Sequence, residues 1–209
     1  MKKQTEKSGI SRKYLKILAA ALALIMLAAL CACGPENDPD DNKATAAPQA
    51  DTKFTADDIY LQIGEIKLTA GGRASDFVDM LKAAGIEYTD KEEAESCLFD
   101  GQDITYVYDF GRVFTFPEEG SGGSSNLVDE VYATGSNVTA KGGLKVGDTA
   151  EKVKETLGDG FFMDGESMMV YNASGDINLK NEQPMLYFYL ENGTVVGIGV
   201  VANLYHIAA

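Results

Sequence analysis

From residue 185 the chain alternates. Met185-Leu186-Tyr187-Phe188-Tyr189-Leu190 leads to Asn192-Gly193 and then to an apolar run from Val195 to Ala202. Asn-Gly between alternating apolar runs is the strongest short-range hairpin signal, because a type I′ turn needs positive φ at both central residues. A turn there sets Leu190 opposite Val195, Phe188 opposite Gly197 and Leu186 opposite Gly199. Met185, Tyr187 and Tyr189 then share the other face with Val196, Ile198 and Val200. Gly197 and Gly199 leave room for Phe188 or for a close-packed helix. Met168 to Tyr171 reads as a preceding strand, separated by a polar loop. Strands in the same order are expected earlier, over Ser96–Phe99, Ile104–Tyr108, Val113–Phe116 and Leu127–Thr134, with a weaker corner at Phe110-Gly111. The Gly/Ser-rich stretch 120–125 reads as a loop between the last two of these.

Two segments carry helical periodicity instead. Phe77, Leu81 and Ala84 mark an apolar stripe in one, and Ala150, Val153 and Leu157 in the other. In the second, Asp148 is the expected cap, Glu151 completes a capping box and Gly158 suits a left-handed stop. The helices align at an offset of 76 residues, from Arg73 to Leu81 against Thr149 to Leu157. A helix followed by an antiparallel meander, occurring twice, predicts an α+β fold of two tandem small modules, 54–135 and 136–209.

Leu144-Lys145-Val146-Gly147-Asp148-Thr149, with Val153, Leu157-Gly158 and the Asn192-Gly193 hairpin, resembles a known pattern. It is similar to the tandem modules of the β-lactamase inhibitory protein and to the SmpA/OmlA class of envelope lipoproteins. The likeness covers 142–202 best and 66–134 loosely; Gly71-Gly72 stands where Gly147-Asp148 would be. The resemblance implies a short helix before a three- or four-stranded sheet, and a sheet face that binds other proteins.

The N-terminus reads differently. Lys2, Lys3, Lys7, Arg12, Lys13 and Lys16 precede an uncharged run from Ile17 to Leu30, and Leu30-Cys31-Ala32-Cys33-Gly34 closes it. A charged start, a short apolar run and a small residue before the cut make a secretory signal. Leu30 three residues before Cys33 and Ala32 just before it resemble the lipobox, which implies lipidation of Cys33 and removal of 1–32. Cys31 fits less well, since bulky Leu30 would precede the cut. The apolar run is shorter than the ~20 residues of a spanning helix. The bases before it keep that end cytoplasmic, so the expected location is the extracytoplasmic face of the membrane. Residues 33–53 then form a lipidated cysteine and an acidic linker, rich in Pro, Asp and Ala and without apolar periodicity.

Charge narrows the partners. The chain has 18 Lys+Arg and 32 Asp+Glu; without 1–32 it keeps 12 and 31. So acidic a body is repelled by nucleic acid and anionic headgroups, and the lipid alone is expected to hold it at the membrane. After cleavage Cys97 is the sole free cysteine, so no intrachain disulfide forms. Its setting, Ser96-Cys97-Leu98-Phe99, predicts a buried strand residue among acidic neighbours.

Catalytic chemistry is sparsely supplied. His206 is the single histidine, which removes multi-histidine zinc sites and a histidine-centred triad elsewhere. There is no G-x-S-x-G or S-x-x-K, and no complete nucleotide-binding glycine motif. Asp109, Asp129 and Glu130 are the acids to consider for glycoside chemistry, on a background where acid pairs arise by chance. The expected function is therefore a non-catalytic, monomeric protein-binding or envelope accessory module, with no metal or cofactor. A ligand-binding transporter accessory and an envelope-glycan hydrolase are the alternatives. The expected partner-binding face is Met185, Tyr187, Tyr189, Val196 and Ile198, because Leu186, Phe188 and Leu190 already supply a core face.

Overall fold

A computed structural model describes residues 54–174 and 184–202. The expectations for the signal, Cys33, the linker and His206 lie outside the described residues. Among the described residues, eleven strands and two α-helices follow one another. A hairpin of β1 (Leu61–Ile63) and β2 (Ile66–Leu68) comes first, then α1 (Ala74–Ala83), β3 (Asp90–Glu95), β4 (Gln102–Tyr108), β5 (Gly111–Pro117), β6 (Asn126–Ala133) and β7 (Val138–Thr139). The second half holds α2 (Ala150–Leu157), β8 (Phe162–Asp164), β9 (Met168–Asn172), β10 (Met185–Glu191) and β11 (Thr194–Val201). Eight strands form one antiparallel sheet in the order β3-β4-β5-β6-β11-β10-β9-β8, and β2-β1-β7 form a small second sheet. The fold is α+β.

One face of the large sheet makes the core. Val113, Val128, Val131 and Ala133 from one side, and Met169, Tyr171, Leu186, Phe188, Ile198 and Val200 from the other, are buried in one cluster with Ala74, Phe77 and Leu81 of α1 and Ala150, Val153 and Leu157 of α2. The helices bury these residues because 3.6-residue periodicity brings them to one stripe. Ala84, expected on that stripe, is exposed beyond the end of α1, where the chain turns through Gly85 at positive φ.

Both helices start in the same way. Ahead of α1, Gly71 N–H donates to Val128 O (2.7 Å) and Val128 N–H to Gly72 O (2.8 Å). Ahead of α2, Gly147 N–H donates to Val195 O (2.8 Å) and Val195 N–H to Asp148 O (2.8 Å). Each helix thus hangs from the last strand that follows it, β6 or β11. The cap of α2 is Thr149, one residue after the expected Asp148: its hydroxyl oxygen accepts from Lys152 N–H (3.2 Å). Asp148 accepts from Lys145 N–H (2.9 Å) and Lys152 Nζ (2.8 Å), which fixes the turn into the helix. Gly158 ends it at positive φ (89°), but with an extended ψ of −177° rather than the expected left-handed turn.

One strand expectation is corrected. The first strand of the large sheet is Asp90–Glu95, six exposed and mostly charged residues, and not Ser96–Phe99. Ser96 N–H instead bonds Gly101 O in the following turn, and Cys97 is exposed in that loop rather than buried in a strand. β8 is a further strand not foreseen, held to β9 from Phe162↔Val170 to Asp164↔Met168. The β5–β6 connection is the expected Gly/Ser loop, closed by Glu118 N–H to Ser125 O (2.7 Å).

Candidate functional site

The second face of the large sheet, turned away from the helices, carries the candidate site. Its geometry follows from two bulges. In the β10–β11 hairpin, Asn192 (φ 51°) and Gly193 (φ 76°) form the expected tight turn, and Leu190 faces Val195. Beyond that pair the register shifts. Val196 is an extra residue with no partner on β10, so Tyr189 faces Gly197, Phe188 faces Ile198, Tyr187 faces Gly199 and Leu186 faces Val200. A one-residue slip moves every later side chain to the opposite face. Ile198 and Val200 therefore lie in the core beside Phe188 and Leu186, fully buried, and Ile198 is not part of the expected partner-binding face. Val196 sits half-buried in the bulge and does not line the site. Met185, Tyr187 and Tyr189 do line it.

The slip also changes what the glycines do. Gly197 and Gly199 open onto this second face, and aromatic rings fill the space their missing side chains leave. A Cβ at Gly199 would overlap the ring of Tyr187, and one at Gly197 would stand 2.6 Å from ring atoms of Tyr132. Tyr132 reaches β11 from β6, Tyr187 from β10, and their rings stack with centroids 6.2 Å apart at 15°. Two glycines on one strand thus let two tyrosines lie flat across the seam between β6 and β11.

Around this pair runs a trough of about 670 Å³. Phe114 and Phe116 of β5 wall one end, and Met168 and Val170 of β9 with Phe162 of β8 wall the other; Met185 and Val201 complete the apolar lining. Its charged groups among the described residues are acidic: Asp129 and Glu130 on β6 and Asp164 on β8. Asp129 is the extra residue of a second bulge, where β5 passes from Phe114↔Glu130 to Thr115↔Val128. Among the described residues no lysine or arginine lines the trough. Arg112, on the same face of β5, stands outside it.

The Tyr187 hydroxyl donates a hydrogen bond to Glu130 Oε1. Burial pushes the Tyr187 pKa far up, and the Glu130 charge and that hydrogen bond add to the shift. Glu130 is also raised, chiefly by burial and further by Asp129, while the Tyr187 hydrogen bond works the other way. Burial raises Tyr132 as well, and the Glu130, Tyr189 and Glu191 charges add to it. The trough is thus an apolar cleft that holds negative charge at a cost in hydration. Tyr189 remains 40% exposed at its rim.

Of the acids considered for glycoside chemistry, Asp129 and Glu130 reach this site as neighbours on β6, whereas Asp109 is exposed at the β4–β5 turn and does not line it. Among the described residues no group of three His, Cys, Asp or Glu is placed to hold a metal ion, and no helix is long and apolar enough to cross a membrane. Alternation around the hairpin identified Tyr187 and Tyr189. It missed Tyr132, Phe114 and Phe162, which belong to strands that join the site only through long-range pairing. Compared with protein-family models, with curated proteins and with solved structures, the chain finds no match.

Proposed function

We propose that the chain is a membrane-anchored extracytoplasmic lipoprotein, attached through Cys33, whose open sheet face binds a protein partner without catalysis. The observation that carries this reading is the aromatic trough across six strands, with Tyr189 exposed at its rim. A contiguous apolar surface of this kind marks an interaction site in a soluble domain. Tyrosine in particular supplies large, rigid contact area with a hydroxyl for the rim.

The folded part is, on this reading, two copies of one module, similar to the tandem modules of the β-lactamase inhibitory protein. Matching local geometry supports the duplication. Gly71 and Gly147, and Val128 and Val195, make equivalent bonds at the helix starts. The residue after each valine, Asp129 or Val196, is bulged out of its strand. The seam is consistent with a twofold relation: Ala133 faces Ile198 and Val131 faces Val200, and these pairs exchange when one half is laid on the other.

Two measurements test the proposal. Cys33→Ala should abolish fatty-acid labelling, and Cys31→Ala should leave it intact; label retained without Cys33 refutes the anchor. Tyr187→Ala with Tyr189→Ala should abolish stoichiometric capture of a partner from envelope extracts by the full chain, with folding retained by circular dichroism. An affinity loss of ~2 kcal/mol or more is expected if either is a hot spot. Undiminished capture by the folded double variant refutes the face.

A further inference from the structure

We infer that residues 203–209, which follow Ala202 outside the described part, fold back into the trough of their own chain. They lie there against Phe114, Phe116 and Tyr132, and a partner gains that end of the site only by displacing them. Displacement rests on the reading of this face as a protein-binding surface; the seating of the segment does not.

Backbone pairing decides where β11 must stop. Its last residue pairs with Glu130 on one side and Met185 on the other, and Ala202 N–H still donates to Asp129 O (2.7 Å). One residue further along β6, both backbone groups of Val128 are taken: its N–H bonds Gly72 O and its C=O accepts from Gly71 N–H. On the β10 side the next residue is Pro184, which has no N–H to offer. A strand does not run on without partners for its amides and carbonyls, so the chain leaves the sheet at Asn203.

The way out leads over the trough. Towards the helices the space is filled, because Ala202 packs at the start of α1, its Cβ 3.7 Å from where a side chain on Gly71 would begin. On the opposite face Val201 stands in a row of lining residues, Met185–Val201–Glu130–Phe114, one from each of four neighbouring strands. β5 and β11 are both antiparallel to β6 and so run the same way. Phe116 therefore lies ahead of that row, in the direction in which the chain is travelling. Two strand spacings separate β11 from β5, about 10 Å, whereas seven residues reach up to about 23 Å. One turn lays the segment across β6 onto the phenylalanines.

Its composition suits that seat. Asn203-Leu204-Tyr205-His206-Ile207-Ala208-Ala209 holds three large apolar or aromatic side chains and no acidic one, in a chain with 32 Asp+Glu. No side chain of the segment is repelled by the Glu130 carboxylate, and Leu204, Tyr205 and Ile207 cover apolar surface that water otherwise meets. The tether does the rest. A segment joined directly to its seat sits at an effective concentration of about millimolar, so modest contacts hold it. A partner's apparent affinity is then reduced to the fraction of chains whose seat is empty.

Hydroxyl-radical footprinting reads the seat, on the full chain in non-ionic detergent beside a chain ended after Ala202. The shortened chain should show about threefold or more modification at Phe114, Phe116 and Tyr132. Tyr88 and Met163, both exposed elsewhere, should not change. Photo-cross-linking gives a second reading that needs no shortened chain. Irradiated Tyr205→p-benzoylphenylalanine should join to 113–141, the tryptic peptide that carries all three residues, and Ile207→p-benzoylphenylalanine repeats the test from another position. An unchanged footprint in a shortened chain that is folded by circular dichroism, or cross-links only to other peptides, overturns the seating and leaves the binding face standing. A partner whose capture needs Tyr187 and Tyr189 should bind the shortened chain about threefold or more tightly; equal affinity overturns displacement. A filled seat with no partner captured by either chain overturns the protein-binding reading and leaves the seating intact.

Discussion

Gly199→Ala should destabilise the protein, although alanine is the better residue in a strand. The φ of Gly199 is not in the left-handed region, so the backbone itself accepts alanine and gains about 0.5–1 kcal/mol from reduced unfolded-state freedom. The obstacle is Tyr187, whose ring occupies the space of the new Cβ. Carbon atoms rest about 3.5–4.0 Å apart, so the ring must retreat by more than an ångström. Its hydroxyl then leaves Glu130, and a hydrogen bond to a charged acceptor contributes about 1.5–3 kcal/mol. The face is open and the ring can swing outward, which limits the overpacking cost to the low end of its usual 1–3 kcal/mol. The net expectation is a loss of about 1.5–3.5 kcal/mol, or a fall of roughly 0.75–1.75 M in the urea midpoint at a slope of about 2 kcal/mol/M. Urea denaturation of the full chain followed by far-ultraviolet circular dichroism measures it. Near-ultraviolet dichroism reports the Tyr132–Tyr187 stack separately. In a Tyr187→Ala background the same Gly199→Ala change should become neutral or stabilising, because the obstacle has gone. If Gly199→Ala is as stable as wild type while Tyr187 is present, the ring does not lie over Gly199 and the floor of the trough is wrongly drawn.

Gly193→Val should cost ~1 kcal/mol or more in the same assay, since φ there is 76° and a β-branched residue is strained in that region. Lys141→Met should cost about 1 kcal/mol near neutral pH by removing the 2.6 Å ion pair with Asp58. Burial alone would raise the Asp58 pKa, but hydrogen bonds from Lys141 and Thr55 and the Lys141 charge hold it below the ordinary 3.8. The unfolded chain therefore binds more protons in that window, so the stabilisation is full above 3.8 and lost as pH falls through the lower folded value; urea curves at neutral and acid pH should show the Lys141→Met deficit shrink, and a constant deficit refutes the assignment. Cys97, exposed in its loop, should react with a chromogenic disulfide as fast in the native protein as in urea; strong protection in the native state refutes that placement.

Local turn chemistry made much of the fold legible. Asn192-Gly193 marked its hairpin, Leu186 and Phe188 their core face, and the helix offset survived to the matching bonds of Gly71 and Gly147. What failed was decided at a distance. Nothing near Val196 announces a bulge, because the shift depends on how β11 meets both β10 and the chain before α2. That one residue exchanged the faces of Ile198 and Gly199 and turned the glycines from packing space for Phe188 into a bed for Tyr187. Asp90–Glu95 has no apolar alternation to read, since an edge strand exposed on both sides has none to show. Its charges instead discourage pairing with other chains. Tyr132 and Phe114 carry ordinary strand patterns, and only the pairing of β6 with β11 brings them beside Tyr187.

That pairing also sets a timetable. Residues 130–133 of β6 hydrogen-bond to 198–201 of β11, the last described strand of the chain. As the chain emerges N-terminus first, β3 to β6 can assemble early, yet β6 then presents bare amides and carbonyls along one side until roughly sixty more residues have followed. Pairing between distant segments is the slow kind. Until it forms, the emerging chain carries an unsealed border of the sort that invites aggregation, ready to accept any passing strand. The arrival of Thr194–Val201 seals it and in the same event lays the glycine bed beneath Tyr132 and Tyr187. A truncation just before β11 would therefore lose more than one strand: it would leave the first half permanently in its most adhesive state.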